Sequence, residues 1–172
     1  VPIEIDMTDE NYSKYKIHCL AADIKNEDYS AYIAIIPGGF LAEIYEQYGA
    51  RLLEQNVRTF LQFGNSKSVN TGIRKTIKET PHMFLAYNNG LAATADNIDL
   101  SEDGCVTRLS NLQIVNGGQT TASIYHTWKK DSADLSNIFV QAKISVVKRQ
   151  EEYSTIVSDI SRFSNTQNKV NS

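Results

Sequence analysis

The segment Leu112-Gln113-Ile114-Val115-Asn116-Gly117-Gly118-Gln119-Thr120-Thr121-Ala122 carries the densest chemistry in the chain. An apolar strand runs into a Gly-Gly turn, and a helix opens at once. The free N–H groups of a helix start, with the helix dipole behind them, suit an anion. Two glycines let a phosphate approach the main chain, and Gln119, Thr120 and Thr121 add hydrogen-bonding side chains in the first turn. The expected phosphate-binding set is therefore Asn116, Gly117, Gly118, Gln119, Thr120 and Thr121. The plainer alternative is a strand-to-helix connection whose threonines cap the helix. The segment lacks the Gly-Lys-Ser/Thr end of a Walker A loop and is not a full dinucleotide fingerprint.

Two further turns are rich in amides: Asn88-Asn89-Gly90 and Asn165-Thr166-Gln167-Asn168. Amides read sugar hydroxyls, base edges or phosphates without titrating. If the three turns converge, Asn88, Asn89, Asn165, Gln167 and Asn168 extend the site. Asn and Gly also tolerate positive φ, so the bland reading is turn chemistry alone. A third candidate lies in Arg51-Leu52-Leu53-Glu54-Gln55-Asn56-Val57-Arg58. On a helix Glu54 and Arg58 stand one turn apart and can form an ion pair. The catalytic reading sets Arg58 on a phosphate and has Glu54 hold a water or a divalent ion such as Mg²⁺, with the metal set itself undefined. Arg74, Lys75 and Lys78 read as a solvated helix face.

Other chemistries find no support. There is no Gly-x-Ser-x-Gly elbow, no His-Glu-x-x-His and no His or carboxylate cluster with metal-ligand spacing. The acidic stretch Asp96, Asp99, Glu102, Asp103 reads as a solvated hairpin. Cys19 and Cys105 are far apart and read as buried thiols. With 17 basic and 20 acidic residues the net charge is −3, so only a local basic patch could attract nucleic acid. No apolar run approaches the ~20 residues of a membrane span. No signal peptide is visible, and a cytoplasmic location is expected.

The elements that must position these residues follow from periodicity. Strands are expected at Tyr15 to Ile24, Ala31 to Ile36, Met83 to Tyr87, Leu91 to Ala95, Leu112 to Val115 and Ile138 to Val147. Asn88-Asn89-Gly90 would join the third and fourth as a hairpin, and Glu102-Asp103-Gly104 would turn a second one. One helix carries Phe40, Leu41, Ile44, Tyr45 and Tyr48 and ends at Gly49. Arg51 to Phe63 fits a helix better than a strand. Gly64 to Ser68 offers N-cap chemistry for a helix bearing Val69, Ile73 and Ile77 that Pro81 stops. Another helix carries Ala122, Ile124, Tyr125 and Trp128. The last has Tyr153, Ile156, Val157, Ile160 and Phe163 on one face. Interleaved strands and helices give an α/β or α+β class, with a mixed β-sheet flanked by helices. At 172 residues the chain is one domain with a sizeable core.

At these residues the chain resembles the AIPR family, named for abortive infection and phage resistance. The resemblance runs through Arg51–Arg58, Val69-Asn70-Thr71-Gly72-Ile73, Pro81-His82-Met83-Phe84 and Tyr87-Asn88-Asn89-Gly90-Leu91. It continues through Gln113–Thr121 to Asn165-Thr166-Gln167-Asn168-Lys169-Val170. Several blocks in order make it specific. It divides the chain into an N-terminal strand region over residues 1–30 and a family core over 31–172. Family proteins are longer, so the chain reads as a fragment. The resemblance implies a bacterial, cytoplasmic role in antiviral defence without settling an activity. A weaker similarity links Ile114 to Ile124 with the strand–Gly turn–helix element of ParB/sulfiredoxin-like domains. Gln119 matches the glutamine of the Asp-Gly-Gln-His-Arg pattern of their relatives, and Thr120 and Thr121 replace its His-Arg pair. Arg58 or Arg74 would have to replace that arginine in space.

Two functions stay open at this point. One is a domain that binds, and processes, the phosphate of a nucleotide or nucleic acid. The other is a non-catalytic sensor or partner-binding module that meets other subunits of a multigene defence system. Neither involves a membrane.

Overall fold

The structure is a computed structural model that describes residues 1–55, 57–59 and 69–166. Two sheets share one core. The larger has five strands in the order β2-β3-β8-β4-β7: β2 His18–Ala22, β3 Tyr29–Pro37, β8 Phe139–Val147, β4 Leu91–Ala95 and β7 Gln113–Asn116. Neighbours are antiparallel except β4 and β8, which run parallel. The smaller sheet is antiparallel, with β6 Val106–Ser110 between β1 Glu4–Asp6 and β5 Asn97–Leu100. The fold is thus a mixed α/β architecture.

Local sequence explains most of these elements. In β8, Val140, Ala142 and Ile144 are buried and alternate with exposed Gln141 and Lys143, as period two requires. Helix α1, Gly38–Tyr48, buries Phe40, Leu41 and Ile44 and ends where Gly49 adopts φ 58°. The Glu102-Asp103-Gly104 turn joins β5 to β6, with Gly104 at φ 80°. Helix α2, Thr71–Glu79, is capped by Asn70, whose Oδ1 accepts from Ile73 N at 3.0 Å. The cap expected at Gly64 to Ser68 lies outside the described residues, and Val69 precedes the helix. Helix α4, Gly118–Asp131, follows the Gly-Gly turn, and α5, Tyr153–Thr166, closes the described chain. Between them in number, α3 is the single turn Phe84–Tyr87.

That single turn corrects the strand expected at Met83 to Tyr87. Pro81 opens a 3-10 turn over Pro81–Met83, and the chain stays helical. Only Phe84 is buried there, while Leu85 and Tyr87 are exposed, which is one helical face and not an alternation. The expected Asn-Asn-Gly hairpin falls with it, because β4 pairs with β7 and β8. Asn88 instead folds back locally, its Oδ1 accepting from Gly90 N at 2.8 Å. The short strand β1 escapes periodicity analysis altogether; only its pairing with β6 makes it a strand. The cysteines are both free, Cys105 buried and Cys19 half-buried.

The core runs continuously under both sheets. Ile5 and Leu109 from the small sheet and Ile17 beside it join Phe40, Ile44, Ile114, Ile124 and Ile144. Tyr12 and Tyr15 meet the Phe40 ring edge-on, with centroids 5.5 and 6.0 Å apart. Their hydroxyls donate to Gln47 and Glu43 on α1.

Candidate functional site

Strand β7 organises both regions that sequence chemistry singled out. At its C-terminal end the chain turns through Gly117, which has φ 90°. A Cβ there would stand 2.6 Å from Leu91 Cδ2 and 2.9 Å from the carbonyl of Gly90. Close approach of the β4 entry, together with the left-handed backbone, is sufficient reason for glycine. Helix α4 then starts with Thr121 N donating to Gly117 O at 3.2 Å. Thr120 and Thr121 are buried, Gly118 is buried, and Gln119 is exposed.

The amides around this turn are spent on the protein itself. Asn88 Nδ2 reaches Thr120 Oγ1 at 3.4 Å. Asn116 Nδ2 donates to the carbonyl of Ser164 at 2.6 Å. Asn165 Nδ2 donates to the carbonyls of Val115 and Ser161 at 2.9 and 2.6 Å. Asn88, Asn116 and Asn165 are therefore gathered at one place, where they tie the α3–β4 loop and α5 to β7 and α4. Asn89 is exposed. Gln167 and Asn168 lie outside the described residues.

On the other side of β7 is a polar cleft of about 560 Å³. Arg51, Glu54, Arg58, Asn111, Gln113 and Tyr153 line it. The segment bearing Glu54 and Arg58 is stitched to β7: Leu53 bridges Ile114 in parallel, and Glu54 N donates to Ile114 O at 2.9 Å. Residue 55 and residues 57–59 are helical, as expected for part of the Arg51 to Phe63 stretch. Residues 60–63 lie outside the described residues. Glu54 Oε2 accepts from Val57 N and from Ser161 Oγ, each at 3.4 Å. Arg58 Nη2 donates to the carbonyl of Leu53 at 3.0 Å, and Arg58 Nε is buried without a hydrogen-bond partner among the described residues. An unspent guanidinium N–H on a residue that lines a hollow is hydrogen-bonding capacity suited to an anion. Arg51 Nη2 donates to the carbonyl of Val1 at 2.7 Å, and its guanidinium lies 5.7 Å from the Tyr48 ring centroid.

The far wall is held by an arrangement that residue patterns did not reveal. Asn111 sits at φ 53°, a left-handed conformation that Asn tolerates. There its Nδ2 donates to Tyr153 Oη at 3.2 Å and to Asp96 Oδ2 at 3.3 Å. Burial first, and then the nearby Asp96 carboxylate, push the Tyr153 phenol up to about 12. Gln113 Nε2 braces the near wall by donating to Arg51 O at 2.9 Å. Of these residues the sequence pointed only to Glu54 and Arg58. The one readable trace of the rest was the polar break Ser110-Asn111 between two apolar strands.

Arg74 does not reach either region. Its guanidinium makes a two-pronged contact with Asp131 at 2.7 and 2.9 Å, which fastens α2 to the end of α4. Its place as the stand-in for the ParB-type arginine is thereby lost. Among the described residues no three His, Cys, Asp or Glu side chains gather as a metal site. Nor is any described helix long and apolar enough to cross a membrane.

No curated protein and no solved structure matches the chain. A family of the description AIPR protein matches residues 53–172. The match includes Glu54, Arg58, Asn111, the glycine turn and Tyr153; Arg51 lies just ahead of it. Because it spans well over half of the 172 residues, the chain belongs to the AIPR family, whose role is abortive infection in defence against phage.

Proposed function

We infer that this defence domain binds the phosphate of a nucleotide or nucleic acid, and that the phosphate sits in the cleft between Arg51 and Tyr153. The observation that carries the reading is the buried Nε of Arg58, without a hydrogen-bond partner among the described residues, on a side chain that lines a polar hollow shared with a second guanidinium. Two arginines in one cleft supply the local positive charge that an acidic chain of net −3 otherwise lacks. Glu54 is the only carboxylate among the described lining residues. It would orient a water or share a divalent ion with the phosphate, since Mg²⁺ needs few protein carboxylates when phosphate oxygens complete its shell. The glycine turn enters as support: through Asn116 and Asn165 it fixes α5, which carries Tyr153.

A thermal-shift panel tests this. Nucleoside mono-, di- and triphosphates and single- and double-stranded DNA and RNA are each added with and without Mg²⁺. A ligand at about 100 times its Kd stabilises by ~2.7 kcal/mol, several degrees in Tm. The shift is expected for one ligand class and is lost in Arg58→Ala. A shift that survives Arg58→Ala and disappears in Gln119→Ala would move the phosphate to the helix start. A flat panel would favour the second reading, a non-catalytic module that meets other defence subunits, for which the exposure of Leu20, Ile33 and Ile35 on one sheet face among the described residues is the specific observation.

A further inference from the structure

The two faces of the five-stranded sheet are covered unequally. On one face α1 and α4 lie side by side, burying Phe40, Leu41, Ile44 and Ile124 against Ala34, Ala142 and Ile144. On the other face α5 is the one helix among the described residues, tied to β7 through Asn116 and Asn165. Beside it runs a groove of about 670 Å³, with Ala31, Ile33 and Lys143 in its floor and Ile156, Ile160 and Phe163 as its wall. The apolar surface continues outward: Leu20 is 75%, Ile33 41%, Ile35 42% and Phe163 53% exposed. A run of exposed large apolar residues on one sheet face marks an interaction surface.

Width and charge identify what fits there. Strands stand ~4.8 Å apart and a helix with its side chains is ~10 Å across, so a five-stranded face takes two helices. Among the described residues the covered face of this sheet holds two helices and the other face holds α5, which leaves width for one more. Lys143 lies in the floor of this groove, opposite Ile33 on one side and Ala92 on the other. It makes no ion pair or hydrogen bond among the described residues. The carboxylates at the rim are already matched, Asp28 by Arg149 at 3.1 Å and Asp159 by Arg162 at 3.3 Å. An unmatched ammonium within an apolar strip calls for a carboxylate on the occupant.

We propose that this groove docks an amphipathic helix of a partner protein, one whose apolar stripe is interrupted by a single Asp or Glu that meets Lys143. Apolar residues at i, i+3, i+4 and i+7 would cover Ile33, Ile156, Ile160 and Phe163, in the helix-in-groove mode. The inference stands independently of the phosphate cleft, because the groove and the cleft lie on opposite flanks of α5.

Two designed 18-residue amphipathic peptides of identical apolar stripe test it, one with Glu and one with Lys at the central stripe position. Binding is read by fluorescence anisotropy on the wild type, Lys143→Glu and Ile33→Asp. The wild type is expected to bind the Glu peptide at least tenfold more tightly than the Lys peptide. Lys143→Glu, a surface change that leaves the circular dichroism spectrum intact, reverses that preference. Ile33→Asp abolishes both. Failure of both peptides to bind, or a preference that ignores residue 143, overturns the proposal. So does sedimentation as a dimer that Ile33→Asp dissolves, which assigns the face to a second copy. Binding of oleate but of neither peptide overturns it in favour of a lipid.

Discussion

Strand β7 is flanked by two differently built places, and both drew attention for the same residue chemistry. Past Asn116 the chain passes through glycines into a helix, the arrangement most familiar from phosphate sites. Beside Gln113 it faces a cleft with two arginines, a glutamate and a tyrosine. In the first place most of the conspicuous residues have an internal reason, while Gln119 and Asn89 are exposed. Gly117 has no room for a Cβ, Thr120 and Thr121 are buried, and Asn88, Asn116 and Asn165 donate to protein oxygens. In the second, a guanidinium N–H is left over among the described residues. The difference teaches that a motif's glycines and amides are explained once packing uses them, whereas unused hydrogen-bonding capacity beside a hollow still needs an explanation.

The contrast can be broken by substitution. The largest stability effect is expected at the turn: Gly117→Ala meets both a left-handed φ and a contact with Leu91, costing about 3 kcal/mol. Urea denaturation reads it, and a variant as stable as the wild type would remove the packing explanation. Arg58→Ala should do the reverse, with ligand affinity falling roughly tenfold to a hundredfold and unfolding free energy changing by less than about 1 kcal/mol. Calorimetric titration beside the denaturation curve separates the two effects. Asn165→Ala removes two donations across the α5–β7 seam and is expected to cost about 1–2 kcal/mol.

Tyr153 supplies a pH test of the cleft wall. Its phenol is held up to about 12 against an ordinary 10.0, so the folded chain gives up that proton later than the unfolded chain. Its contribution to stability is whole below pH 10 and is lost as pH rises from 10 towards 12. Tm of Tyr153→Phe should therefore fall less steeply over that interval than Tm of the wild type. Equal slopes would show that the wall does not bury the phenol. The smallest effect is expected at Gln119→Ala, whose side chain is exposed: stability stays within about 0.5 kcal/mol and cleft binding is unchanged. A loss of binding there would reverse the ranking of the two regions.

Elements with a strong period were legible in advance. Strand β8, helix α1 and the strand–glycine–helix run from β7 into α4 stand where alternation and glycine placed them. The stretch 83–87 was not, because five mostly apolar residues satisfy a strand and a helical turn equally, and Phe84 burial decides between them. The last helix shows the same limit within a correct element. Val157 and Ser161 are its buried positions and Tyr153 and Val157 line the cleft, while Ile156, Ile160 and Phe163 line the groove. Apolar spacing indicated a single inward stripe, whereas a polar seam of Ser and Asn holds the helix down.

Residue order alone determined the class of fold and the AIPR membership and named Glu54 and Arg58 as candidates, because periodicity, turn chemistry and ordered blocks are local properties of a chain. Which of the two places beside β7 keeps unused hydrogen-bonding capacity among the described residues, and that Asp96 and Asn111 hold Tyr153 in the far wall of the cleft, was decided by tertiary structure. Those residues are separated by as many as 57 positions, from Asp96 to Tyr153, and meet only because the β6–β7 connection passes under the start of α5. Hydrogen-bond satisfaction and burial depend on that meeting, and no spacing along the chain encodes them.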